Sequence, residues 1–413
     1  CALVGFSKKR SFSLSPLKMN IRIPILSFVT PCFQTPYIPL LYLRLKRLGL
    51  VNRRGGMRPR WRSFSVANSY PFVPSSTAFI TMENQDFERV ILECTGARAL
   101  GEPQLIQSLW SGYGKILRYQ LSESRVPSVV VKHVRLPKQK TGSHHPRGWN
   151  TDIGHNRKVR SYEVETHFYH HYAQDCDDRC RIPHCLALES KENEVLMVLE
   201  DLDSSGFGQR QNALDWNGIE ICLSWLAHFH ATFMGRKPEG LWDSGTYWHL
   251  ATRPEELDVM QDPDLKAAAP LIDAKLNASP FQTWVHGDAK LANFCFSPDG
   301  REVAAVDFQY VGGSCGMKDV AYFVGSCLYE DDCEELEDRI LKTYFKALRQ
   351  ALSDRNETTW TAEKLDELEA DWRALYPVAW TDFHRFLKGW SPEHWKINGY
   401  SERLAREVME ALS

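Results

Sequence analysis

The sequence predicts an α+β fold in two unequal lobes, a smaller strand-bearing lobe followed by a larger, mainly helical one. Three observations predict it. Apolar runs of strand length, at 128–134 and 195–199, concentrate before residue 202. Beyond it, Ile219, Cys222, Leu223, Leu226, His230 and Phe233 recur at the i, i+3, i+4 and i+7 spacing of an amphipathic helix. Two short apolar stretches, 284–286 and 303–308, then interrupt an otherwise helical half, the first entering a polar turn and the second carrying a carboxylate. The expected division is a basic extension at 1–81, the smaller lobe at 82–201 and the helical lobe at 202–413, with a cleft between the lobes.

Each element follows from its own residues. A short amphipathic helix is expected at 86–97. A strand at 107–110, the turn Ser111-Gly112-Tyr113-Gly114 and a strand at 115–121 come next. Residues 128–134 are valine-rich and read as a buried strand, with Lys132 near its end. Residues 137–156, polar with Gly, Pro and His, read as a loop, and 157–173 as a helix. The strand at 195–199 closes on Glu200-Asp201. From 318 the pattern is helical, with breaks expected at Pro377 and Pro392 and a terminal helix at 401–412.

Composition narrows the function. The chain has 413 residues, of which 43% are hydrophobic, enough to bury a substantial core. Its formal charge of −2 conceals a split. Residues 1–82 hold thirteen Lys and Arg and no Asp or Glu; of 50 basic and 52 acidic residues, the remainder keeps 37 and 52, a net of −15. So acidic a body lacks the basic surface that nucleic-acid binding requires.

Three readings of residues 1–81 compete. They are poor in acids and contain Arg and Ser, as a transit peptide would be. They are also what sequence upstream of a start at Met82 would look like. The uncharged stretch 23–43 suggests an anchor, but Pro24, Pro31, Pro36 and Pro39 interrupt it, and a spanning helix tolerates such breaks only with help from neighbours. No stable membrane insertion is expected. The expected compartment is the cytoplasm, or an organelle if the extension is a transit peptide. The eleven cysteines show no disulfide framework, so reduced thiols are expected. Cys176, Cys180 and Cys185 lie near His170, His171 and His184, but the spacing is loose for zinc and ordinary helix and loop residues fit better.

The most informative stretch is Val285-His286-Gly287-Asp288-Ala289-Lys290-Leu291-Ala292-Asn293-Phe294, followed by Asp307 fourteen residues after Asn293. Phosphoryl transfer needs a carboxylate facing the acceptor hydroxyl, hard oxygen ligands for magnesium, and a cation near the migrating group. The spacing D-x-K-x-x-N offers a carboxylate, an ammonium and an amide in one turn, and Asp307 adds a second carboxylate. A lone H-G-D is a weak signal; the whole pattern is a specific one.

That pattern resembles the catalytic loop and metal-binding Asp of the protein-kinase-like superfamily. The His-Gly-Asp form is similar to its aminoglycoside phosphotransferase and choline kinase branch. With Val306-Asp307-Phe308-Gln309 and Asp319-Val320-Ala321-Tyr322, the run is most similar to the ecdysteroid-kinase-like group. The resemblance covers about residues 100–330 and, more loosely, the helical tail.

The resemblance implies a protein-kinase-like fold and an ATP- and Mg2+-dependent phosphotransferase. Asp288 would be the catalytic base or hydroxyl orienter, Lys290 would face the γ-phosphate, and Asn293 and Asp307 would hold Mg2+. His286 would brace the loop, as would Asp319 from the following helix. Upstream, Lys132 would hold the α- and β-phosphates and a helical glutamate would hold Lys132. Glu163 and Glu165 both qualify, and Glu165, in E-x-x-F-Y, matches the group better. Gly112 and Gly114 stand in what is either a phosphate-covering turn or a plain hairpin. Glu200 lies in a stretch that resembles the inter-lobe hinge, where backbone groups read adenine. Gln309 stands where protein kinases have Gly, so a backbone flip there is not expected.

The partner implied is a small-molecule alcohol, with choline-, aminoglycoside- and steroid-like acceptors all open. Trp242, Trp248, Trp372, Trp380, Trp390 and Trp395 fall in or near the helical half; most should be core, some could line a pocket. The competing function is a non-catalytic nucleotide-binding or scaffold module on the same fold, and a metal-dependent hydrolase is the second rival. The sequence leaves the oligomeric state open.

Overall fold

The computed structural model describes residues 84–109, 112–136, 152–191, 193–355 and 359–413. The readings of 1–81, of the loop at 137–151 and of Ser111 fall outside them.

The chain begins with α1 (Asn84–Thr95), β1 (Ala99–Leu100), β2 (Gln104–Ser108), β3 (Gly114–Ser122) and β4 (Ser128–Arg135), then α2 (Asp152–His171), β5 (Cys185–Lys191) and β6 (Glu194–Glu200). The strands form one sheet ordered β1-β3-β4-β6-β5, with β2 also on β3, and every pairing is antiparallel. The two-residue period of β4 decides what each face meets. Val129 and Val131 pack with Phe87 and Ile91 of α1. Val134 points the other way and packs with Tyr162 of α2. Lys132 shares that second face, so the strand delivers its ammonium to α2.

The second part contains α3 (Trp216–Thr232), α4 (Pro254–Asp258), α5 (Pro263–Asn277), β7 (Thr283–Val285), β8 (Phe294–Phe296), β9 (Val303–Ala305), β10 (Gly312–Ser314), α6 (Met317–Cys327), α7 (Glu330–Asp354), α8 (Ala362–Trp390) and α9 (Gly399–Leu412). Asp215 caps α3, accepting from the Gly218 N–H. The apolar stripe of α3 is buried in the main core, where Trp225 stacks on Phe229 and Phe233 stacks on Trp284. Two small antiparallel ladders, β7 with β10 and β8 with β9, are set among these helices. The whole is an α+β fold of two lobes.

Several boundaries differ from expectation. Helix α2 begins at Asp152, so 152–156 are helical rather than loop. The stretch at 303–308 stops being strand after Ala305, because Asp307 takes a left-handed backbone (φ 73°) that no ladder accommodates. Pro377 does not break the last long helix; it lies inside α8. An internal proline costs about 3 kcal/mol. Burial of Trp372, Tyr376, Trp380, Phe383 and Phe386 along the same helix, at roughly 1.5–3 kcal/mol each, outweighs it. Strand β5 and helix α5, which contains Pro270, were not expected from the sequence.

Candidate active site

Strand β7 runs straight into the turn at 286–293. Gly287 there has φ 79°, and a Cβ would overlap the Tyr310 carbonyl oxygen, so only glycine fits. The turn is held from α6. Asp319, in the first turn of that helix, accepts from the N–H of His286 at 2.5 Å and of Gly287 at 3.0 Å. It also accepts from His230 Nε2 at 3.2 Å, and His230 Nδ1 lies 2.7 Å from the Tyr344 hydroxyl. His286 Nε2 is 3.1 Å from the Val306 carbonyl, which can only accept, so that nitrogen carries the proton. Its Nδ1 then accepts from the Asp288 N–H at 3.2 Å. The imidazole thereby ties the turn to the chain leaving β9.

Asp288 is held at both oxygens. Oδ2 accepts from Lys290 Nζ at 2.9 Å and Asn293 Nδ2 at 3.2 Å; Oδ1 accepts from the Tyr322 hydroxyl at 3.1 Å. Asn293 Nδ2 also donates to the Asp288 carbonyl at 2.8 Å, which leaves its own carbonyl oxygen as the atom to face a cation.

The β8–β9 hairpin sets the second carboxylate. It pairs Phe294 with Ala305, and the Val306 N–H donates to the Asn293 carbonyl at 3.0 Å. Asp307 follows at once. Its Oδ1 is buried, makes no hydrogen bond among the described residues, and lies 3.8 Å from Lys132 Nζ. Burial by itself opposes charge on Asp307, but Lys132, Lys290 and Lys158 outweigh it and hold the carboxyl below its ordinary range. Asp307 Oδ1 and the Asn293 side-chain oxygen Oδ1 are the hard donors magnesium takes, and an orphaned buried carboxylate oxygen fits such an ion.

Lys132 Nζ is 2.6 and 2.8 Å from the two oxygens of Glu165, both residues buried. Burial pushes Glu165 upward, and Lys132 pulls it back. Glu163 is exposed and pairs with Arg160 at 3.3 Å, so Glu165 is the glutamate that the fold brings to Lys132. A further latch joins the two carboxylate regions: Gln309 Oε1 accepts from Lys158 Nζ at 2.6 Å and Ser161 Oγ at 3.2 Å, both on α2.

Lys132, Glu165, Asp288, Lys290, Asn293 and Asp307 are thus linked through a few contacts. Glu200 has different ones: its carboxylate accepts from Arg181 at 2.5 Å and from the His184 N–H at 3.0 Å, and its own N–H donates to the His184 carbonyl at 2.8 Å. Gly112 and Gly114 lie at the hairpin joining β2 to β3, where Ser108 faces Lys115. A Cβ on Gly114 would overlap the His133 carbonyl oxygen. Cys176, Cys180 and Cys185 are free thiols, and among the described residues no group of three or more His, Cys, Asp and Glu is arranged to hold a metal. No helix among the described residues is long and apolar enough to cross a membrane.

Two contributors escaped sequence reasoning. Tyr322 had a signal: it stands three residues after Asp319 on α6, so both face the turn. Lys396, whose Nζ is 5.0 Å from the centre of the Tyr322 ring, had none, because the loop that carries it shows no pattern.

The ecdysteroid kinase-like family model matches residues 156–240 and 249–357. No curated protein matches the chain. Among solved structures, it is similar to an aminoglycoside-3'-phosphotransferase of type VIII (17% identity, 69% of this chain and 98% of that one, TM-score 0.41). It is similar to the choline kinase LicA from Streptococcus pneumoniae (14%, 79% and 98%, TM-score 0.37). A Plasmodium vivax ethanolamine kinase is a third (11%, 76% and 85%, TM-score 0.42). The stretch matched by the family model, under half of the chain, holds Glu165, Asp288, Asn293, Asp307 and Asp319, and over it the chain is similar to the ecdysteroid kinase-like family.

Proposed function

We propose that the protein is a small-molecule kinase that uses Mg2+ and ATP to phosphorylate an alcohol. One observation carries the reading: Lys132, paired with buried Glu165, lies 3.8 Å from the unpartnered oxygen of Asp307, beside a turn that presents Asp288 between Lys290, Asn293 and Tyr322.

In this reading Asp307 and the Asn293 side-chain oxygen Oδ1 would hold the metal. When bound, magnesium supplies positive charge to the phosphate oxygens. Lys132 binds the phosphates, kept in place by Glu165. Asp288 orients the acceptor hydroxyl and takes its proton; a bond forms from that oxygen to the terminal phosphorus while the bond to the bridging oxygen breaks, and ADP leaves. Lys290, already at Asp288, offsets charge on the migrating group. The Tyr322 hydroxyl donates to Asp288 and keeps one of its oxygens from turning away. A hydrolase would make no use of the Lys132–Glu165 pair, and a scaffold would have no use for the orphaned oxygen of Asp307.

The test is ADP release by the full chain with MgATP across a panel of alcohols, with Asp288→Ala and Lys132→Met alongside. One alcohol should raise release, each variant should lower it at least about a hundredfold, and chelating the metal should abolish it. No stimulation by any alcohol, together with no Mg-dependent thermal shift from ATP, would sink the proposal.

A further inference from the structure

The segment between α8 and α9 lays Lys396 into an aromatic enclosure beside Asp288. Its Nζ is 5.0 Å from the ring centre of Tyr322, 5.4 Å from Phe383 and 5.6 Å from Trp395, all within cation–π range. Tyr322 is the residue whose hydroxyl touches Asp288 Oδ1. The ammonium therefore stands over the same ring that holds the carboxylate.

Lys396 makes no ion pair among the described residues, whereas Lys132, Lys290 and Lys318 each have a carboxylate partner. Burial and repulsion from Lys290 bring its pKa down from the ordinary lysine value to about 8, against the pull of Asp288. It is a cation short of a counter-charge.

The surroundings resemble a binding wall more than a core. Tyr322, Phe383, Phe386, Trp248 and Leu387 form a small buried cluster of their own, apart from the main core. Trp395 is 52% exposed, and Tyr329, whose ring lies 5.5 Å from it, is 71% exposed. Adjacent large aromatics left in water beside a polar centre mark a ligand surface. Charge then decides which ligand. Asp288 brings one negative charge to this end of the site, and Lys290 and Lys396 bring two positive ones. An alcohol with an ammonium group would meet two like charges, with the aromatic faces already taken. An anionic oxygen would give Lys396 the partner it lacks.

We propose that Lys396 is a specificity-determining residue: it fills the enclosure of Tyr322, Phe383 and Trp395 with the protein's own cation and so selects an alcohol bearing an anionic oxygen group over one bearing an ammonium group. This rests on the kinase reading only in calling the ligand an acceptor; the charge preference is a statement about binding.

The experiment titrates the full chain with three meta-substituted benzyl alcohols, carrying a carboxylate, an uncharged carboxamide or a trimethylammonium group. Binding is read by calorimetry and ADP release with MgATP is followed in parallel. The carboxylate compound should bind at least about tenfold more tightly than the trimethylammonium compound. Lys396→Met should erase that preference, and Lys396→Arg, which keeps the charge, should retain it. Equal binding of all three, preference for the trimethylammonium compound, binding of none, or an unchanged order in Lys396→Met would overturn the inference. If the order is as expected but none of the three raises ADP release, the charge selectivity stands, and the kinase reading is decided separately by the broader alcohol panel and the Mg-dependent thermal shift from ATP.

Discussion

The Tyr322 hydroxyl donates to Asp288 Oδ1 at 3.1 Å, while Lys290 and Asn293 hold the other oxygen of the same carboxylate. A carboxylate gripped at both oxygens cannot rotate freely. Its orientation is set from two elements, the turn it belongs to and helix α6. Tyr322 sits one helical turn beyond Asp319, which fixes the backbone of that same turn at His286 and Gly287. One helix thus positions both the loop and its working side chain.

Replacing Tyr322 with Phe removes one hydrogen bond to a charged group, worth roughly 1.5–3 kcal/mol. The expected result is a roughly ten- to hundredfold fall in kcat with the KM for ATP little changed. Steady-state kinetics over both substrates checks this. A change confined to the KM for ATP would show that Tyr322 does not act through Asp288.

Gln309 should matter to the nucleotide side. Its side-chain oxygen Oε1 accepts from Lys158 and Ser161 of α2, the helix that also carries Glu165, so it latches the Asp307 segment to that helix. Gln309→Gly removes the latch and frees the backbone next to Asp307. The KM for MgATP should rise about tenfold, and amide exchange at 306–310 should quicken. Unchanged exchange in that segment would count against the latch.

His384 makes stability depend on pH. It is buried on α8, neither ring nitrogen is hydrogen-bonded among the described residues, and burial lowers its pKa from 6.5 to about 4 despite Glu402 at 3.7 Å. The unfolded chain therefore takes up this proton first. Stability from His384 is complete above about pH 6.5 and is lost as pH falls towards 4, by on the order of 3 kcal/mol. His394, lowered to about 4 by burial and by Lys396, adds to the same window. Thermal midpoints measured from pH 7.5 to 4.5 should fall less steeply for His384→Gln than for the unmodified chain, the slope that remains coming from His394 and the other histidines with lowered pKa values, His133 among them. Parallel curves would refute the assignment.

Much of this centre is legible in the amino-acid sequence. Asp288, Lys290 and Asn293 lie within one turn, so their spacing alone places them together. Lys132 is found through the resemblance: the downstream motif calls for a strand lysine, and Lys132 closes the valine-rich run, where by itself it would read as a surface residue. The choice of Glu165 over Glu163 comes from the E-x-x-F-Y context that resembles the family, since both glutamates fall on the same expected helix.

The features that follow from the chain alone are local: the strand, the turn, the α3 stripe, and the residue types that phosphoryl transfer requires. Period, backbone freedom and chemistry within a few residues dictate them. Tertiary packing settles the rest. It carries α8 through Pro377, because burial of that helix outweighs the missing hydrogen bond. It ends a strand at Ala305 by turning Asp307 into a left-handed backbone, which aims its carboxylate at Lys132. It brings Lys396 from the far end of the chain over the ring that holds Asp288. Contacts between distant residues follow from packing of whole elements, and no local pattern records them.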